Sequence, residues 1–371
     1  MNHFIKNIHI NKLFHLENID IPIENEKYPH LIITGKNGSG KTVLLNAIAE
    51  EISKIEMIDG KPNTILNNKV TLDFASNIHQ VPYILAFYQA SRNVMMIEPK
   101  SPTKPDYIKK GNIKETVTNQ FLYFMSDLKI QEALARNEKL FDDADKINAW
   151  FVDFESLLKQ IFQDDELKLE FNYKDYSFKI CTEGKKFKFT QLSDGFSAAL
   201  DIVADLILKM QDDNSLTRSY QREGIVLIDE IETHLHLELQ KIIMPFLTKT
   251  FPNIQFIVTT HSPFVLSSME NAVAFDLEHK EPISDLSDYS YSSLAEGFFG
   301  VRPESSTVRL RLDELTALLS KETLSVSEKM DVKLIMDELD KIPEPVLPSI
   351  VGEYLMLKLK NAEKIKTILA L

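Results

Sequence analysis

Apolar residues recur on a two-residue period from about Ile5 to Ile23, the spacing of half-buried strands, and predict two of them. An almost wholly apolar run, Leu31-Ile32-Ile33, follows. Thr42 to Ile52 then carries Val43, Leu44, Ala47 and Ile48 on one side of a helix. Val81 to Tyr88 predicts a further strand, and Pro and Lys crowd the stretch from about Asn93 to Asn112 into a loop. From Glu115 to Gln163 the pattern turns helical and charged, with Ile147, Trp150, Phe151, Phe154, Leu157, Leu158 and Ile161 at three- and four-residue steps. Short strands fit 167–173, 176–182 and 186–190. A helix from about Gly195 to Met210 presents Phe196, Ala199, Leu200, Val203 and Leu206 on one face, and the polar stretch Gln211 to Glu223 reads as a surface loop. Ile225–Ile228 and Ile254–Thr259 are buried-type strands either side of a helix from Leu237 to Phe251. Beyond Pro282 the pattern stays helical, broken at Pro343, Pro345 and Pro348.

Buried strands alternating with helices predict an α/β fold with a mixed, mostly parallel sheet. With 371 residues, 44% of them hydrophobic, the chain has material for a sizeable core and no compositional mark of disorder. A single cysteine, Cys181, excludes an internal disulfide framework and a cysteine-based zinc site, and suits a reducing, cytoplasmic setting. It lies in a strand pattern and reads as inert packing. The apolar runs are strand-sized, so no membrane span is expected, and the alternating start lacks the apolar core of a secretory signal. The net charge of −13 argues against a surface coated for nucleic acid, though not against a local basic groove.

The chemistry concentrates at two places. Gly35-Lys36-Asn37-Gly38-Ser39-Gly40-Lys41-Thr42 matches G-x-x-x-x-G-K-[ST], with an apolar strand before it and a helix after. Glycines let backbone N–H groups wrap phosphate oxygens, and a helix N-terminus adds a positive dipole end. Gly35, Asn37, Gly38, Ser39 and Gly40 are therefore expected to cradle the phosphates. Lys41 is expected to reach the β- and γ-phosphates, and the Thr42 hydroxyl to bind Mg²⁺. The second place is Ile225-Val226-Leu227-Ile228-Asp229-Glu230, a central strand with two carboxylates at its carboxyl end, where ligands of open α/β sheets bind. Asp229 is expected to support Mg²⁺, directly or through water. Glu230 is expected to orient and deprotonate the attacking water.

Two further elements define a subclass. Leu192-Ser193-Asp194-Gly195-Phe196, opening a helix, resembles the ABC-type signature LSGGQ, and Thr259-Thr260-His261-Ser262 resembles a switch histidine. In this order the four elements resemble the ABC-type ATPases. The phosphate loop and the run Asp229-Glu230-Ile231-Glu232-Thr233-His234-Leu235-His236 resemble the SMC/RecF/OLD-like branch more than a transporter ATPase. The resemblance covers roughly residues 1–90 and 180–280. It implies a homodimer or higher oligomer with composite ATP sites, in which Ser193 and Gly195 of one subunit contact the γ-phosphate held at Lys41 of the other. It implies that His261 senses that phosphate, and that Gln89 links Mg²⁺ to an inserted lobe. Asp194 and Phe196 depart from the signature pattern, and His236 stands where many members carry an aspartate at the dimer contact. The resemblance thus divides the chain into an ABC-type P-loop ATPase core (1–92), a helical insertion (93–165), the second part of the core (166–282) and a helical C-terminal region (283–371).

Lys41 and Ser193 lie too close along the chain for an SMC coiled coil. The stretch after His261 shows no acidic nuclease triad, since Asp337 and Asp340 fit a solvated helix face. What remains resembles stand-alone ATPases of prokaryotic antiviral systems of the Septu or retron type, which hold a separate effector, often a nuclease. A RecF-like repair ATPase that binds DNA itself, and a nucleotide sensor with little hydrolysis, are the alternatives. His234 and His236 read as dimer contact or solvated side chains rather than a metal pair. Lys185, Lys186 and Lys188, with Lys109 and Lys110, are either a nucleic-acid patch or a solvated edge. Trp150 and its stripe read as core or interface. The tail from Ile350 to Leu371, with Val351, Leu355, Leu359, Ile365 and Leu369, either docks a partner or packs on its own domain.

Overall fold

The alternating pattern at the start becomes a hairpin, β1 (Ile5–Leu13) and β2 (Leu16–Pro22), with Ile8 opposite Ile21 and Ile10 opposite Ile19 on its buried face. In the computed structural model, which describes residues 5–23, 30–56, 69–74, 84–92, 96–101, 113–211, 220–269, 271–283, 291–299, 306–343 and 347–369, the chain divides into two compact units, Met1–Tyr291 and Ser292–Leu371. The expected features at Lys109 and Lys110, and the first residues of the 81–88 strand, lie outside the described residues.

The first unit is built around β3 (His30–Thr34), α1 (Lys41–Glu56), β4 (Val70–Phe74) and β5 (Ile84–Tyr88). β4 pairs with β1 to make a small antiparallel sheet of order β2-β1-β4. The expected helical stretch 115–163 is two helices, α2 (Phe121–Asn137) and α3 (Phe141–Phe162), because Lys139 turns through a left-handed φ of 64° between them. A second antiparallel sheet follows: β6 (Lys168–Asn172), β7 (Ser177–Thr182) and β8 (Lys185–Lys188). The core then resumes with α4 (Asp194–Lys209), β9 (Gly224–Ile228), α5 (Leu237–Thr250), β10 (Ile254–Thr259) and the short α6 (Pro263–Leu266). β11 (Ala272–Asp276) and β12 (Glu281–Ile283) close the sheet.

That main sheet has the order β12-β11-β3-β10-β9-β5 among the described residues. It is parallel throughout except for β12, which runs antiparallel to β11. Its strands are buried along their whole lengths from β3 to β5, as a sheet covered on both faces requires. On one face α1 is sandwiched: Leu44, Leu45, Ile48 and Ile52 share a core with Ile8 and Ile21 of the hairpin and with Leu31, Ile33, Leu227 and Ile257 of the sheet. α4 is buried almost all round, which a helix with so continuous an apolar sequence demands.

Trp150 is core. Its ring lies 5.4 Å from Phe124 and 5.0 Å from Phe151, and stacks on Phe154 at 5.4 Å. Phe151 and Phe154 reach on to Phe178 and Phe189, tying the α2–α3 hairpin to the β6–β8 sheet. No helix among the described residues is long and apolar enough to cross a membrane.

Helix α7 (Tyr291–Phe299) begins at the division between the units. In the second unit α8 (Ser306–Ser320), α9 (Val326–Leu339), α10 (Pro348–Lys360) and α11 (Ala362–Leu369) bury Leu315, Val332, Ile335, Ile350, Tyr354, Ile365 and Ile368 together. A capping box between Ser325 and Glu328 starts α9. The tail thus packs on its own unit through Ile350 and Ile365, while Leu355 and Leu359 stay exposed. The Leu369 side chain is outside the described residues.

Candidate nucleotide site

β3 is a central strand, so its carboxyl end delivers the glycine-rich loop straight onto the N-terminus of α1. Gly35, Gly38 and Gly40 all have left-handed φ values, of 137°, 84° and 98°. A Cβ at Gly35 would stand 2.9 Å from Ser39 Oγ, and one at Gly40 3.1 Å from Leu16 Cδ1, so a side chain at either position would crowd its neighbours as well as strain the backbone. Lys41 is buried and its Nζ donates to the carbonyls of Gly35 (2.7 Å) and Lys36 (3.0 Å). Burial lowers its pKa, while Glu230, Glu232, Asp229 and Asp276 oppose that shift. Asn37 is exposed at the loop's tip and Ser39 buried within it.

The carboxyl end of β9 supplies the carboxylates, two strands away. Thr42 Oγ1 donates to Asp229 Oδ1 at 3.2 Å, which places the two expected metal-binding oxygens side by side. Thr259, at the end of β10, donates to the same oxygen at 2.6 Å and accepts the Glu230 N–H at 2.8 Å. Glu230 itself adopts φ 44°, a left-handed conformation that costs a side-chain-bearing residue roughly 1–3 kcal/mol. Its carbonyl accepts the Thr233 N–H at 2.9 Å, and its Oε2 accepts the Thr233 hydroxyl at 3.3 Å. A strained, fixed carboxylate beside a phosphate cradle is what a positioned base requires.

His261 follows β10. Its backbone N–H is held by Glu232 Oε1 at 2.5 Å, and Glu232 Oε2 accepts the Thr260 hydroxyl at 2.7 Å. Burial lowers the His261 pKa, and Lys41 adds to that. Glu232 carries no local sequence signal for this role, which shows only when the β9 turn and the β10 end meet.

Ser193 is the N-cap residue of α4, exposed, with a side chain that makes no capping bond to its own helix. Gly195 is buried. A Cβ there would meet the His234 carbonyl at 2.8 Å and the His236 ring at 3.4 Å, so the signature glycine packs against the turn that follows Glu230. Gln89 lies exposed at the end of β5, next to Tyr88, whose carbonyl accepts the Asp229 N–H at 2.8 Å.

Other polar groups gather here that no local pattern announced. Arg92 is buried and donates to the carbonyls of Glu230 (2.9 Å) and Ile231 (3.4 Å). On α4, fully buried Asp205 accepts from Tyr88 OH and Lys209 Nζ, both at 2.7 Å. Asp201 is buried one turn earlier, and burial pushes its pKa up to about 7. Asp276, at the end of β11, pairs with His279 and accepts the Glu278 N–H, while Glu278 pairs with Lys36 at 2.8 Å. At the β1–β2 turn His15 Nε2 lies 3.1 Å from Ser39 O, and its neighbour Phe14 is 78% exposed with φ 56°. Lys186 pairs with Glu170 at 2.8 Å, and Lys188 lies 3.7 Å from Glu98, so this part of the basic strip is neutralised by its own neighbours.

A sheet in which β3, β10 and β9 run parallel and bring a phosphate loop, a histidine and an Asp-Glu pair to their carboxyl ends has the arrangement expected of an ABC-type P-loop ATPase core. Residues 113–267 match the family described as "AAA domain, putative AbiEii toxin, Type IV TA system". The chain is 26% identical over 380 residues to the Septu protein PtuA of Bacillus mycoides (strain KBAB4), covering 91% of this chain and 50% of that protein. It is 30% identical over 146 residues to the retron Vc95 probable ATPase of Vibrio cholerae serotype O1 biovar El Tor, covering 38% and 28% respectively. Among solved structures it is similar to an SMC head bound to the C-winged helix domain of ScpA, with a TM-score of 0.41 and 14% identity over 75% of this chain and 96% of that one. The chain spans about half the length of the Septu relative. By these matches the chain is similar to ABC-like ATPases of the AAA class, including those of antiviral defence systems.

Proposed function

We propose that the protein binds ATP with Mg²⁺, dimerises around it, hydrolyses it, and thereby regulates or recruits a partner effector, a nuclease, in prokaryotic antiviral defence. The observation that carries this reading is the 3.2 Å contact between Thr42 and Asp229, because it joins the two halves of the site across the sheet. The donor set fits the cation: hard oxygens from a hydroxyl and a carboxylate suit Mg²⁺, which when bound neutralises charge on the phosphates. The left-handed glycines of the loop leave backbone N–H groups to wrap the triphosphate, and Lys41 turns its ammonium from the loop carbonyls toward the β- and γ-oxygens. Phe14 offers an exposed aromatic face to the base beside the loop. Water attacks the γ-phosphorus as the bond to the β–γ bridging oxygen breaks, and Glu230 takes the water's proton. His261 donates to the γ-phosphate and registers its departure.

Ser193 and the N-terminus of α4 form a second anion site that is complete only when another subunit presents its phosphate. Gln89 belongs to the same assembly as the residue linking the metal to the α2–α3 lobe. The exposed tail residues Leu355 and Leu359 suit effector contact. The pairing of Lys186 and Lys188 with acidic neighbours favours this reading over direct DNA binding.

Light scattering tests the sandwich. With ATP and Mg²⁺, Glu230→Gln is expected to trap a dimer that the added Ser193→Arg change abolishes. A mass that does not respond to ATP in Glu230→Gln would contradict it.

A further inference from the structure

Arg92 is 9% exposed, and two of its three guanidinium nitrogens, Nε and the Nη1 amino group, have no hydrogen-bond partner among the described residues. Buried arginines are seldom left so incompletely bonded, and such a group calls for an explanation. The remaining nitrogen supplies one: it donates to the Glu230 carbonyl at 2.9 Å and lies 3.4 Å from that of Ile231. Glu230 therefore has its N–H fixed by Thr259 and its carbonyl fixed by Arg92, on either side of a left-handed φ. The acids that feel the Arg92 charge are Glu232, Asp201, Asp229 and Glu230.

We propose that Arg92 is a positioning residue for hydrolysis, clamping the Glu230 turn by its backbone carbonyls. The inference rests on the hydrolytic reading above. The Glu230 carboxylate is carried by the turn that Arg92 holds, so loss of the guanidinium displaces the base. The hydrogen bonds of Arg92 go to backbone carbonyls of the Glu230 turn and not to the glycine-rich loop, so binding of ATP should not depend on it.

The test compares wild type, Glu230→Gln, Arg92→Gln, Arg92→Lys and the double variant Arg92→Gln/Glu230→Gln. It reads steady-state phosphate release, and affinity for a fluorescent ATP analogue. Arg92→Gln is expected to lower kcat by about a hundredfold, the scale of a small misplacement of a catalytic group, with KM and analogue affinity within about twofold. Arg92→Lys should restore part of kcat, and the double variant should be no slower than Glu230→Gln alone. Unchanged kcat in Arg92→Gln, a matching loss of analogue affinity, or an additive loss in the double variant would overturn the proposal. Absence of phosphate release in a wild type that binds the analogue would overturn the hydrolytic reading, and this one with it. Normal wild-type release and an inert Glu230→Gln, beside a fully active Arg92→Gln, would remove this one alone.

Discussion

Thr259 Oγ1 lies 2.6 Å from Asp229 Oδ1, and the same hydroxyl receives the Glu230 N–H. One side chain on β10 thus fixes both carboxylate-bearing residues of β9. Thr259→Val keeps the shape and removes the hydroxyl, leaving a buried carboxylate and an amide short of a partner, at about 1–3 kcal/mol. A thermal melt should show Tm several degrees lower and phosphate release reduced, while Thr259→Ser stays near wild type in both. A Thr259→Val protein with wild-type melting and turnover would show that the hydroxyl is dispensable.

Lys41→Ala should abolish nucleotide affinity without unfolding the chain, because among the described residues the buried ammonium bonds only to loop carbonyls and Ser39. Titration with a fluorescent ATP analogue, with circular dichroism as the control for folding, decides this. Measurable affinity in Lys41→Ala would undercut the site.

Phe14 is exposed, so Phe14→Ala should leave Tm unchanged. If its ring stacks on the base, ATP should bind roughly tenfold more weakly, within the range typical of base–aromatic stacking. Competition by inorganic triphosphate, which has no base to stack, should be unaffected. Equal weakening of both ligands would place Phe14 elsewhere in the mechanism.

Two buried groups pull the pH dependence of stability in opposite directions. His30 is buried with Nδ1 accepting the Phe256 N–H at 3.2 Å, and burial lowers its pKa to about 4. Its contribution is present above the usual histidine value and lost as pH falls, by about 2 kcal/mol between pH 7 and pH 5. Asp201, raised to about 7 by burial, does the reverse, since the neutral carboxyl favoured in the fold becomes easier to form as pH falls. Urea unfolding should show wild type nearly flat over that interval. Asp201→Asn should lose stability toward pH 5, and His30→Gln should gain it. The same slope in all three proteins would contradict the assignment.

Gly195→Ala forces a Cβ to within 2.8 Å of a backbone carbonyl, so the His234–His236 turn must move. A cost of about 1–3 kcal/mol in stability is expected, together with slower turnover, since that turn begins at Glu230. Denaturant unfolding and a phosphate assay on the same preparation test both effects.

The parts of the site carried by consecutive residues were legible in the sequence. The glycine-rich loop, the apolar run ending in Asp229-Glu230 and the strand before His261 each announce themselves within a few positions, and the structure places them at one sheet edge. β4 and β11 escaped because they are short and stabilised by partners remote in sequence: β11 pairs with β3, and β4 with β1. Arg92, Glu232 and Asp201 escaped for the same reason. A single charged residue in a polar loop or on a helix has no periodicity, and its burial exists only after β5, β9 and α4 have come together.

The central claim is that Glu230 is the base of an ATP hydrolysis site. The most direct measurement is the rate of phosphate release from ATP and Mg²⁺ by wild type and by Glu230→Gln at equal nucleotide occupancy. The account predicts release by wild type and a loss of roughly a hundredfold or more in Glu230→Gln, the scale of general-base catalysis. Equal rates in the two proteins would contradict it.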